Sequence, residues 1–354
     1  MTDALLVEGV DRLLRTKCTA EALERAETAG WEPDLWAAAA QMGLPWISVP
    51  EESGGSGGNI DDALEVLKIA GQHAAPIPLA ETGLLAGWLS SVAGLPVGRG
   101  PATVVPGYSK DTLSLSRGVL TGRAHRVAWA RVAERVVAIV EADGEDLIVS
   151  VPTATVTIEP VQNLAGEPRD TVVFDELHVR DVVSAPAGVD TQSLLYRGAL
   201  TRVMLIAGAL ETMAELTVQY ARDRHQFGVS ISTFQAVQEH LVQCAGDAAL
   251  VAMAAAVAAR EALRHDAHFE IASAKLLANR ACTSATRAAH QVHGAMGITR
   301  EYPLNRFTRR LWSWRSEYGT ERLWARSLGV AAHRSGADLL YPAITGGSKV
   351  WDVA

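Results

Sequence analysis

From about Ser193 to Ser335 the chain carries no strand signal. Within that span Leu194–Arg222, Phe234–Arg264, Phe269–His293 and Gly319–Ala332 repeat apolar residues at helical spacing, and Ala and Leu are plentiful. Long helices in succession bury their apolar faces most simply against one another, as an up-and-down bundle. Any fold assigned to the chain has to accommodate that bundle.

The preceding residues divide in two. Residues 2–95 read as helical: LLVEGVDRLLR near the start, then Pro33–Met42, Ile60–His73 and Leu79–Ser90. The Gly/Ser run Ser53–Gly58 sits between two helices and is short, so a structured turn is expected rather than a tether. From about Leu95 the character changes. Val119–Val127, Arg135–Ala142, Asp146–Val151, Thr155–Val161 and Thr171–Val179 are rich in Val, Ile and Thr and separated by turn residues. Asp143-Gly144 reads as a hairpin turn. The expected fold is therefore α+β and mainly α. It comprises an N-terminal helical domain (1–95), a small middle β domain (96–190) and a C-terminal four-helix bundle (191–354).

Composition narrows the function. With 48% hydrophobic and 20% charged residues the chain has the means to bury a core, and a net charge of -8 argues against a general nucleic-acid binder. Cys18, Cys244 and Cys282 form neither a zinc pattern nor a disulfide framework, which fits a reducing cytoplasm, and no metal site is expected. The N-terminus lacks a signal-peptide pattern. The most apolar run, Ala248–Ala259, is too short to span a bilayer and is flanked by Asp247 and Arg260, so no membrane partner is expected.

The stretch with most chemistry is Gln291–Glu321. Small residues (Gly294, Ala295, Gly297) come first, and a basic, Trp-rich segment follows (Arg306, Arg309, Arg310, Trp312, Trp314, Arg315). Glycines admit a ligand close to backbone, and arginines bind phosphates in fork geometry. Thr320 is placed to cap a new helix. The stretch reads either as a site for a large phosphorylated ligand or as a loop between core helices with solvated arginines.

The order of these elements resembles the acyl-CoA dehydrogenase family over nearly the whole chain. Gly43-Leu44 with Val49-Pro50-Glu51-Glu52 marks the N-terminal part. Arg224-His225-Gln226-Phe227-Gly228 with Gln235 and Gln238 looks like the family's R-x-x-F-G…Q-x-x-Q element. Lys275 sits in its A-K helix, and Gln291–Gly297 with Glu301-Tyr302-Pro303 looks like its Q-x-x-G-G-x-G…E-x-P element. The resemblance implies α,β-dehydrogenation of an acyl-CoA thioester by FAD, with electron-transfer flavoprotein as the usual acceptor. It also implies an FAD site shared between subunits. Arg224, Phe227, Gln235, Gln291, Gly294 and Ala295 match the residues around a neighbour's FAD, Gly319 and Thr320 those near the chain's own, and Arg202 an arginine near the substrate.

The chain departs from the family at the base. The Glu that normally precedes Gly-Thr is Tyr318 here, with Glu317 one residue earlier, and the alternative location on the first bundle helix holds Thr201. The T-E-P-x-x-G-S-D loop and W-I-T-N strand usual in the middle domain are both missing, and Trp129 is a candidate either to stack near the flavin or to fill the core. The residues offered to a neighbour look intact while the chain's own pocket looks degraded. The expectation is one subunit of a heteromeric, α2β2-type enzyme whose partner supplies the catalytic Glu. Such complexes resemble those that some bacteria use on steroids and other bulky CoA esters. Two alternatives remain open: a self-sufficient homo-oligomer with Glu317 as base, and a catalytically silent structural partner.

Overall fold

The N-terminal periodicity becomes helices α1 (Ala4–Lys17), α2 (Ala20–Ala29), α3 (Pro33–Gln41) and α4 (Ile60–Gln72) in the computed structural model, which describes residues 4–347. Thr19 caps α2 by accepting from Ala22 N at 3.2 Å, and Gly30 ends it with φ +86°. The Ser53–Gly58 run is a packed turn. A Cβ at Gly55 would lie 1.9 Å from the Val49 carbonyl oxygen, and Ser56 Oγ donates to Gly43 O at 2.9 Å.

The segment expected as an ordinary helix at Leu79–Ser90 differs. Ala80–Gly87 is a π-helix, continued by α5 (Trp88–Val92). Gly83 lies so close to the Pro45 carbonyl that a Cβ would sit 2.0 Å from its oxygen. Periodicity reports that a segment is helical and apolar; it does not report how wide the turns are when a neighbouring backbone presses on them.

The β region builds two four-stranded sheets. The strands are β1 (Ala102–Val104), β2 (Ser114–Ser116), β3 (Val119–Ala128), β4 (Arg135–Ala142), β5 (Glu145–Pro152), β6 (Thr157–Glu159), β7 (Arg169–His178) and β8 (Asp181–Ser184). Their orders are β1-β4-β5-β8 and β2-β3-β7-β6, with β1 and β4 parallel and the other pairs antiparallel. Leu120, Ala124 and Phe174 of one sheet share a core cluster with Val136, Ala138 and Val149 of the other. Asp143 and Gly144 close the β4–β5 hairpin with φ of 54° and 83°, the twist-matched turn their identities predict. Trp129 is buried under the Arg169 guanidinium, 5.8 Å from its ring centroid, as a core residue.

The last part is helical apart from one small hairpin: α6 (Thr191–Asp223), β9 (His225–Gln226), β10 (Val229–Ser230), α7 (Gln235–Ala262), α8 (His268–His293), α9 (Leu304–Trp314), α10 (Glu321–Ser335) and α11 (Leu340–Gly346). The basic, Trp-rich segment is therefore largely helix α9 and not a loop. Leu304, Phe307, Leu311 and Trp314 recur at three- and four-residue spacing and are all buried, a stripe masked in the sequence by the interleaved arginines. The chain divides into two compact units. One runs to Val66 and resumes from Ala75 to Gly198; the other contains Leu67–Ala74 and continues from Ala199. Within the second, Gly208 meets the Lys68 carbonyl and Gly71 the Leu205 carbonyl, each too closely for a Cβ, so α4 and α6 touch backbone to backbone. Helices α6 and α7 are both long and apolar enough to cross a membrane by length and composition; the most apolar window of α6 is 78% buried and that of α7 only 28%.

Candidate functional site

Two groups of residues carry the chemistry anticipated from the sequence. The first is buried, on the turn between α9 and α10. Arg202 on α6 donates from Nε to Glu317 Oε2 at 2.7 Å, and both side chains are almost fully excluded from solvent. The same guanidinium lies 5.2 Å above the Tyr318 ring. Tyr318 is buried in the left-handed region (φ +49°), a conformation a bulky residue adopts only when its surroundings impose it. Gly319 follows at φ +104°, and a Cβ there would lie 2.3 Å from Trp324 Nε1, which itself donates to Tyr318 O at 3.2 Å.

Lys275, noted in the sequence only as a family marker, holds this turn from below. It is fully buried, and its Nζ donates to Asn279 Oδ1 (2.6 Å), Arg315 O (3.1 Å), Gly319 O (3.4 Å) and Trp314 O (3.5 Å). Asn279 Nδ2 adds a bond to Gly319 O at 3.2 Å. The ammonium thus satisfies carbonyls that the end of α9 leaves without helical partners. Burial pulls the lysine from its ordinary 10.5 to about 7; the neighbouring Cys282 and Glu317 oppose that shift, and Arg202 and Arg315 add to it. The i,i+4 pair Lys275/Asn279 is visible in the sequence, but nothing there says that it points inward.

The turn ends at α10. Thr320 caps it, accepting from Leu323 N at 3.3 Å, as its identity predicts. Glu321 occupies the first turn, where the helix end is electropositive, and accepts from Arg280 Nε at 3.0 Å. Beside it, a groove of about 640 Å³ is lined by His240, Gln243, Arg280, Thr283, Ser284 and Arg287.

The second group is exposed. α6 ends where Arg224 N donates to Tyr220 O, and a hairpin follows with Phe227 and Gly228 at its tip, φ 54° and 83°. The left-handed tip leaves the Phe227 ring 94% exposed, with an edge contact to Phe234. The Arg224 side chain is exposed and has no ion partner among the described residues. Asp223 is engaged by Gln219, and Glu211 by Lys68 and Gln72. Gln235 is exposed at the start of α7, and Gln291 in the last turn of α8. Gly294 caps α8 at φ 56°, ψ -138°, with open space where a Cβ would stand, and Ala295 is exposed beside it. A cluster of Ala221, Ile231 and Val292 with Tyr220, Phe234, Val237 and Leu241 ties these segments together. Under it, Tyr220 stacks on His293 (4.3 Å) and both meet Tyr302. The fold thus gathers Arg224, Phe227, Gln235, Gln291, Gly294 and Ala295 at the junction of α6, α7 and α8, and sets Arg202, Glu317, Tyr318 and Gly319 together in the interior.

The acyl-CoA dehydrogenase N-terminal domain model matches residues 2–91 and the C-terminal domain model residues 189–328. The acyl-CoA dehydrogenase IpdE2 of Mycolicibacterium smegmatis is 26% identical over 310 residues, 86% of this chain and 91% of the relative. The ChsE4-ChsE5 complex of Mycobacterium tuberculosis shares the fold at a TM-score of 0.84 with 22% identity, over 95% of this chain and 99% of that one. A variant of the Tcur3481-Tcur3483 steroid ACAD does so at a TM-score of 0.81 with 20% identity, over 92% and 96%. With both family domains matched in order, and with their motif residues brought together at the helix junctions just described, the chain belongs to the acyl-CoA dehydrogenase family of oxidoreductases.

Proposed function

We propose that this chain works as one subunit of a heteromeric acyl-CoA dehydrogenase, lending part of an FAD site to a partner subunit that carries the catalytic Glu. The observation that carries the reading is the buried Arg202–Glu317 pair beside a tyrosine in the usual base position. A base must take a proton from the substrate α-carbon. A carboxylate held by a buried guanidinium is stabilised in its charged form and takes a proton poorly.

The exposed junction fits the cofactor that the family implies. Arg224 offers an exposed guanidinium for a pyrophosphate, Gly294 leaves room for close approach, and Phe227 presents an exposed ring. The start of α10 fits less well. The Thr320 hydroxyl is engaged by Leu323 N, and Glu321 already puts a carboxylate in the first turn, where it accepts from Arg280 and would repel a phosphate. FAD, when bound, supplies the hydride acceptor; this chain's contribution is to hold and orient it from across the interface. The substrate in this reading is a bulky CoA ester. A steroid ester is the class suggested by the steroid ACAD that shares the fold, and electron-transfer flavoprotein is the expected acceptor.

Arg224→Ala in the co-purified complex tests the reading. FAD content, read from visible absorbance, is expected to fall while the two subunits still co-purify. Unchanged FAD would remove the cross-interface role, and stoichiometric flavin on the chain purified alone would overturn the degraded-pocket argument. Turnover of a competent acyl-CoA by the Glu317→Gln chain alone, equal to that of wild type, would dismiss Glu317 as base in the self-sufficient alternative.

A further inference from the structure

Two histidines lie under the exposed junction. His290 and His293 stand one turn apart at the carbonyl end of α8, beside the exposed Gln291, Gly294 and Ala295. His293 is only 2% exposed, stacked on Tyr220 and tilted against Tyr302. Its Nδ1 lies 2.8 Å from Ala289 O, which can only accept. Nδ1 therefore carries the ring proton, and Nε2 of the neutral ring is left unprotonated. That Nε2 and His290 Nδ1 are both buried without a hydrogen-bond partner among the described residues. The short turn Gly294–Ile298 folds back over both side chains: a Cβ at Gly297 would lie 3.0 Å from His290 Nδ1 and 3.0 Å from His293 Cβ. Gly294 N donates to His290 O, and Tyr220 Oη to His293 O at 3.3 Å. The backbone offered to the cofactor is thus tied to the histidine cluster.

We propose that His293 is a proton switch for this patch: neutral, it holds the Gly294 turn ready for the dinucleotide; protonated, it leaves its slot and the patch releases the cofactor. For its ligand the inference rests on the cross-interface FAD reading. The titratable groups around the ring are Tyr220 from α6, Tyr302 from the loop before α9, and His290 on α8, whose Nε2 meets Thr308 Oγ1 of α9 at 3.2 Å. The carboxylate felt by the cluster, Asp223, acts on Tyr302, and Gln219 engages it. Two features favour a charged ring, the carbonyl end of α8 and the face of Tyr220. Burial outweighs them and pulls the pKa below the usual 6.5; the Ala289 carbonyl opposes this and His290 adds to it. A proton on His293 therefore drives the ring towards water, where the helix end still attracts it and the burial penalty is gone. The stack on Tyr220, the bond to Ala289 O and the support under Gly297 are lost together. The cofactor-ready form holds the proton less tightly than the open form. Affinity is therefore full above 6.5 and falls with acid, by up to about tenfold per pH unit, until the pH reaches the lowered value.

The test is FAD release from the co-purified complex, read by flavin fluorescence between pH of about 7.5 and about 5. The wild type is expected to release FAD as the pH falls below about 6.5. His293→Phe keeps an aromatic ring in the slot without a proton site and is expected to flatten the profile. His293→Gln, which also does not titrate, serves if the Phe variant does not fold, as circular dichroism checks. His290→Leu is expected to keep the profile and move it to higher pH, because a neighbouring positive charge no longer forms. Hydrogen exchange of the 290–300 segment in the chain alone, corrected for the intrinsic rate at each pH, reads the switch without FAD. Acid is expected to open that segment in the wild type and not in His293→Phe. A His293→Phe profile as steep as that of the wild type would overturn the proposal, as would wild-type exchange indifferent to pH. FAD held by the wild type with a flat profile would remove the switch and keep the cross-interface reading. A complex without FAD at any pH, whose exchange still opens in acid, would overturn that reading and support the switch alone.

Discussion

Arg202 Nε and Glu317 Oε2 lie 2.7 Å apart in the protein interior. Glu317 is the nearest acidic residue to the family's base position, and this arginine claims it. The pair sits beside a second buried basic group, Lys275, whose Nζ is surrounded by four oxygens. The turn between α9 and α10 is thus organised by basic groups that bind acceptors, an arrangement suited to holding backbone and poorly suited to releasing a free carboxylate.

Breaking the pair from one side takes an ion partner at 2.7 Å from a charge that stays buried. Glu317→Ala is expected to cost about 3–5 kcal/mol of folding stability, and Arg202→Met combined with Glu317→Leu considerably less. Urea denaturation of the full chain checks this. A double variant as damaged as the single would show that the pair contributes through shape rather than charge.

Gly319→Ala combines a left-handed backbone with a clash. At φ +104°, and with Trp324 Nε1 2.3 Å from the new Cβ, the turn has to move or Trp324 has to leave Tyr318 O. A loss of at least about 2 kcal/mol is expected. A shift in tryptophan emission should accompany it. A fully stable variant with unchanged emission would mean that the turn yields freely.

Lys275 predicts a stability gain towards high pH. Its folded value of about 7 lies below the ordinary 10.5, so between the two the unfolded chain holds a proton that the folded chain lacks. Unfolding free energy should therefore rise with pH across that window, by up to about 1.4 kcal/mol per pH unit from this group. The contribution is complete above 10.5 and lost as pH falls to about 7. Lys275→Met removes the slope, so stability curves for the two proteins that run parallel from pH 7 to 10 would contradict the assignment.

His293 predicts a loss on the acid side. Its ring is buried, Nδ1 hydrogen-bonds to Ala289 O at 2.8 Å, and Nε2 has no hydrogen-bond partner among the described residues. Burial lowers its pKa from the usual 6.5; the Ala289 carbonyl opposes this and the nearby His290 reinforces it. The folded chain thus resists protonation, and stability present above pH 6.5 drains away as pH falls through the lowered value. His293→Phe can keep the stacking on Tyr220 while deleting the proton site. A flatter acid limb in thermal melts is expected, and an unchanged limb would locate the acid sensitivity elsewhere.

Features governed by neighbours along the chain were legible from residue types. The bundle helices follow the apolar repeat, Asp143-Gly144 makes the left-handed hairpin turn, and Thr320 caps α10. The exposed junction was legible too, because Arg224, Phe227, Gln291 and Gly294 keep the family's motif spacing. Less was visible where side-chain chemistry and folded environment disagree. The arginines of α9 look like a solvated loop, yet Arg310 is buried with the apolar stripe.

What residue types and spacing decided, then, was where helices and strands form and which residues the motifs set on the surface. Only the tertiary structure decided which charges lose their water. Glu317 could have been a free carboxylate until packing placed it against Arg202, 115 residues away in sequence. Lys275 could have been an ordinary surface lysine until α8 turned it under the carbonyls of Trp314, Arg315 and Gly319. The physical reason is that the energy of a charge depends on its solvation and its partners, and both are set by contacts between segments far apart in the chain.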